Sequence, residues 1–178
     1  MSEPPLPLVT SSAAGVLDRP LQALDGLAKA VIVVAIFVMV AVVSSQVVLR
    51  YATSGSIGWA DEISRLAFVA TIFLAIPLGI RRGAHIGIEL LTGRLPALAQ
   101  ASLARAMAVA SAGLMLIVAY QTVLVAAEQW DEKMASLEFS AGWFLVPVAF
   151  GALHSALHLL RLAVVGPYPK SEHVVATE

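Results

Sequence analysis

Four separate stretches of about twenty mostly apolar residues leave this chain little choice of fold. A membrane-crossing helix needs roughly 20 consecutive apolar residues to cover about 30 Å of hydrocarbon. The stretches run over residues 30–49, 59–80, 106–127 and 143–165. The chain is therefore expected to be an all-α membrane protein of four transmembrane helices. A polar N-terminal tail is expected over 1–26, a four-helix domain over 27–165 and a polar C-terminal tail over 166–178. The first apolar run is too long for a signal-peptide core of about 7–15 residues, so it reads as an uncleaved span.

Composition agrees and removes several function classes. Apolar residues make up 59% and charged residues 13%, against about 45–50% and about 25% in soluble domains. A net charge of −1 leaves no basic footprint for nucleic acid. There is no cysteine, which excludes disulfides, thiolate metal sites, iron–sulfur clusters and a cysteine nucleophile.

The second span is the most informative. Its uncharged part, Leu66 to Ile80, is fifteen residues, or about 22 Å of helix, which is too short. Extension back to Trp59 reaches full thickness, with an aromatic at the interface where Trp is favoured. That extension carries Asp61, Glu62 and Arg65 to the membrane edge. Glu62 and Arg65 stand three apart, a spacing that permits pairing on one helix face. Arg50, at the end of the first span, is placed to pair with Asp61 or Glu62. Ionisable groups in a span are costly and usually face a partner or a cavity.

Lys and Arg counts set the expected orientation. With four spans, one side holds Arg19, Lys29, Arg81, Arg82, Arg94, Arg105, Arg161 and Lys170, and the other holds Arg50, Arg65 and Lys133. The basic excess marks the cytoplasmic side, so both termini are expected there. Residues 81–105 alternate basic and apolar positions, as a short amphipathic segment lying in the interface between helices two and three would. The loop 128–140 carries Glu128, Asp131, Glu132 and Glu138 against one Lys133. It reads as an acidic periplasmic cap.

Three motifs in order then carry a family likeness: Leu49-Arg50-Tyr51 closing the first helix, Trp59-Ala60-Asp61-Glu62-Ile63-Ser64-Arg65 opening the second, and Arg81-Arg82-Gly83-Ala84-His85-Ile86 leaving it. The chain resembles the small DctQ-type membrane subunit of tripartite ATP-independent periplasmic (TRAP) transporters over about residues 24–165. Asp61 stands where the family often has a second Glu, and the second helix has no glycine before Gly79. The resemblance implies an inner-membrane scaffold subunit. Its implied partners are a large permease subunit, which carries substrate and coupling sodium, and a periplasmic binding protein delivering an organic anion. Arg50, Trp59, Asp61, Glu62 and Arg65 are expected to form a charged elbow that serves as a subunit interface or as a structural cluster fixing the hairpin between the first two helices. Arg81, Gly83 and His85 form the cytoplasmic exit, where anionic lipid headgroups attract cations. Glu128, Asp131 and Glu132 are candidates for docking the binding protein through complementary charge.

His154, His158 and Arg161 lie at i, i+4 and i+7 and so share one helix face. The spacing suits a metal, but Ser155 stands where the metalloprotease motif requires Glu. The expectation is two neutral histidines hydrogen-bonded inside the bundle, with no metal and no cofactor. The alternative of another class is a cytochrome b-like membrane anchor of a redox complex. An intramembrane hydrolase lacks a nucleophile and base pair, so no enzymatic activity is expected.

Overall fold

The computed structural model describes residues 11–82 and 96–166, with side chains described from residue 18 onward except at 97 and 98. Four long helices account for most of it. They are α1 (Ser11–Thr53), α2 (Ala60–Arg81), α3 (Ala97–Glu128) and α4 (Val146–Val165), the last preceded by a single 3-10 turn at Ala141–Phe144. All four helical segments are long and apolar enough to cross a membrane. The described residues contain no strand, only an isolated bridge between Lys133 and Ser140.

The helices pack in the spatial order α1, α2, α4, α3. Helix α4 is the central one: 44% of its apolar window is buried, against 6% for α1. Small residues line the contacts, with Ala28, Ala60, Ala67, Ala112, Ala152 and Ala156 all buried. Large ones such as Phe37, Val48, Phe68 and Ile117 point outward. That inversion is expected where lipid is as apolar as the side chains, because helix association then rests on close backbone approach.

One close helix approach sets a glycine against a carbonyl freed by a proline. Pro77 lies inside α2 and is fully buried. Having no N–H, it cannot donate to the carbonyl four residues earlier, that of Phe73. This freed carbonyl is where α4 crosses: a Cβ built on Gly151 would stand 2.4 Å from the Phe73 oxygen. Close packing at mid-helix thus comes from a glycine on α4, not from one within α2.

Two boundaries differ from the sequence reading. Helix α1 begins at Ser11, so residues 11–26, read as part of a polar tail, form the start of the first helix. Its inner face explains why: Leu21, Asp25 and Ala28 are all buried, at the i, i+4, i+7 spacing of one helical face. Helix α3 likewise begins at Ala97, so residues 97–105 belong to it rather than to a separate interfacial segment. The rest of that segment, residues 83–95, lies outside the described residues.

Candidate functional site

Polar side chains gather at both ends of the bundle, on different terms. At the Arg81 end, three helices contribute to one buried network. Asp25 of α1 is 1% exposed. Its Oδ2 accepts from Arg81 Nη1 at the end of α2. Its Oδ1 lies 2.9 Å from His158 Nε2 and 3.1 Å from His154 Nε2, both on α4. The two histidine nitrogens are themselves 3.1 Å apart, and His154 Nδ1 is buried with no hydrogen-bond partner among the described residues.

One turn further along, Arg161 is 5% exposed. Its Nε donates to Asp18 Oδ1 at 3.0 Å and its Nη1 to the Gly166 carbonyl at 2.8 Å. Gly166 closes the helix with φ 97°, a left-handed conformation glycine adopts without Cβ strain. Two carboxylates and two guanidiniums therefore balance in charge around two histidines. Burial of ions is tolerable only when paired and hydrogen-bonded in this way.

The loop end is built differently. Asp61 pairs with Arg65 at 2.8 Å, with both side chains well exposed. The expected Glu62–Arg65 pair is not formed. The i, i+4 partner of Arg65 is Asp61, while Glu62 turns inward, where its Oε1 accepts the Ser136 backbone N–H at 3.0 Å. Glu62 Oε2 is buried without a partner among the described residues. Trp59 precedes α2 as its N-cap and remains exposed. Arg50 is exposed at the end of α1 and makes no ion pair among the described residues, so the expected second pair with Asp61 or Glu62 is absent there.

Residues 129–140 are folded, not merely solvated. Ala141 N–H donates to the Glu132 carbonyl at 2.8 Å, Met134 N–H to Phe139 at 2.9 Å, and Trp130 packs on Trp143 with ring centroids 6.0 Å apart. Glu128, Asp131 and Glu132 remain on the surface. Arg81 belongs to the buried network, whereas Gly83 and His85 lie outside the described residues.

Sequence reasoning found His154, His158 and Arg161 as one face and missed their partners, Asp18 and Asp25. The signal was present: a buried guanidinium in a span demands a counter-charge, and these are the two acids on α1.

A model of the protein family described as Tripartite ATP-independent periplasmic transporters, DctQ component, matches residues 39–166. No curated protein matches the chain.

Proposed function

The chain belongs to the DctQ component family of tripartite ATP-independent periplasmic transporters, and from that premise we propose that it is the scaffold on which a large permease subunit is held while that subunit moves substrate. It is a small, multi-pass subunit of an inner-membrane transporter, in a family of transport components rather than enzymes. The family match lends no support to the cytochrome b-like alternative. The proposal extends to the remaining parts of the system: a periplasmic binding protein, an organic anion as cargo, sodium as the coupling ion, and both termini on the cytoplasmic side.

One observation carries the scaffold reading: the described residues bury no polar path from end to end of the bundle. A solute crossing the bilayer needs polar groups lining its route. Between Glu62 at the loop end and the Asp25 network at the other, the buried polar residues among those described are Thr122, whose hydroxyl donates to Val118 of its own helix, and Ser155. Meanwhile α1 leaves most of its apolar surface uncovered, which suits a helix that packs against something else.

The test is reconstitution. Proteoliposomes holding this chain alone are expected to show no uptake. Adding the large subunit and the binding protein is expected to restore sodium-dependent accumulation of an organic anion. Accumulation by the isolated chain would overturn the scaffold role. For orientation, single cysteines replacing Ala135 and Ser102 are expected to react with an impermeant maleimide on intact cells at 135 only. Labelling confined to 102 would invert the assignment.

A further inference from the structure

We propose that Asp25, His154 and His158 form a binding site for one first-row transition-metal ion of the zinc or cobalt class, tying α1 to α4. The inference is independent of the transport role.

It begins with a shortage of protons. The three atoms Asp25 Oδ1, His154 Nε2 and His158 Nε2 form a nearly equilateral triangle with edges of 2.9, 3.1 and 3.1 Å. Each imidazole nitrogen carries at most one hydrogen, and the carboxylate carries none when ionised. If both nitrogens are protonated, each donates to Asp25, but two N–H groups then abut along the histidine–histidine edge. If only one is protonated, the other turns a lone pair toward the carboxylate oxygen. With the carboxylate ionised, no arrangement makes all three edges hydrogen bonds. A cation facing the three lone pairs satisfies them together.

The geometry suits such an ion. All three side chains are buried, and their donor atoms converge. Bonds of about 2.0–2.2 Å to an ion lying just off the plane of the triangle reach every corner. Two imidazoles and one carboxylate are the donor set of open, three-ligand sites, and imidazole selects zinc, cobalt, nickel or copper over magnesium and calcium.

The surroundings also prepare the carboxylate. Arg81 holds Oδ2, which leaves Oδ1 aimed at the histidines, an orienting role typical of outer-shell partners. The guanidinium also repels a cation. An anion at the open fourth position, such as hydroxide, would offset part of that repulsion. Asp18 does not contribute, because Arg161 holds it. The His-x-x-x-His spacing alone is a weak metal signal. What changes its meaning is Asp25, delivered from 129 residues earlier in the chain by the extended start of α1.

The experiment uses the full chain in detergent micelles, carrying a histidine-free affinity tag and stripped with chelator. Titration with Co2+ is expected to reach one equivalent per chain and to develop the visible d–d bands of a low-coordinate ion. Zn2+ should displace it and Ca2+ should not. Asp25→Asn and His154→Gln are expected to weaken binding at least as much as loss of an outer-shell partner does, roughly 10–100-fold. His173→Gln, which alters a histidine that is not one of the three proposed ligands, is expected to leave binding intact. The wild-type titration is decisive even if a variant fails to fold: no stoichiometric binding overturns the site. Displacement by Ca2+, or full binding in both Asp25→Asn and His154→Gln, overturns it too.

Discussion

The two ends of the bundle hold similar numbers of charges and use them in opposite ways. At the Arg81 end, the ion pairs among the described residues join different helices and each has one partner buried: Arg81 to Asp25 across α2 and α1, Arg161 to Asp18 across α4 and α1. At the loop end, Asp61 and Arg65 pair along one helix and stay exposed. A charge fixes tertiary structure when desolvation would punish its loss and when its partner is remote in sequence. Exposed neighbours on one helix do neither.

Substitutions should expose that contrast. Asp25→Ala removes the carboxylate that Arg81 and the two buried histidines share. Removal of one partner of a buried pair typically costs about 3–5 kcal/mol. The lower end is expected here, because the Arg81 side chain keeps 34% of its exposure and can reach solvent. Denaturant unfolding in micelles measures this, and a loss no larger than that of Asp61→Ala would erase the distinction between the ends.

The next largest effect is steric. Gly151→Leu forces a side chain into the Phe73 carbonyl, and overpacking of a filled contact costs about 1–3 kcal/mol. The shift in melting temperature should be accompanied by loosened α2–α4 cross-linking. An unchanged melt would show that the crossing can slide.

Glu62 sits between the extremes, buried yet bonded to backbone. Glu62→Ala leaves the Ser136 N–H without its acceptor, a loss of about 1–3 kcal/mol if that amide stays dry, and Glu62→Gln retains an acceptor. Faster amide exchange at residue 136 in Glu62→Ala than in Glu62→Gln is the expected reading. If the elbow also contacts the large subunit, co-purification should fall in the same order. Wild-type yield in both variants would confine Glu62 to holding the loop.

The smallest change is expected at Asp61 and Arg65. Exposed i, i+4 pairs contribute about 0.3–0.5 kcal/mol, so Arg65→Gln should barely move the unfolding midpoint. A large shift would mean that the pair holds the helix more firmly than its exposure implies.

The four spans were legible because hydropathy over twenty residues is a strong, local signal, and α2 ends within a residue or so of its predicted limits. The face shared by His154, His158 and Arg161 was legible for the same reason: helical spacing is local. Asp25 was not. Residues 11–26 mix Pro, Asp, Arg and Leu, which on hydropathy reads as a tail. Their helical order comes with contacts more than a hundred residues away. The Glu62 and Arg65 pairing failed more narrowly. Both i+3 and i+4 partners were available to Arg65, and burial against the 129–140 loop, invisible to spacing, decided which carboxylate turned inward.

The connection of Asp25 to His158 and of Asp18 to Arg161 spans 133 and 143 residues, which sets a schedule for biogenesis. The beginning of the first helix leaves the ribosome long before its partners exist. At synthesis rates of about 5–20 residues per second, Asp25 waits roughly 7–27 seconds for His158 to be made. Through that interval its carboxylate has no buried partner on α4 and is best kept in hydrated headgroups. The last span is then the latch that draws the chain's own beginning into place. Release of chains truncated before residue 154 should therefore leave residues 18–26 of that first helix open to protease, and completion of α4 should close them.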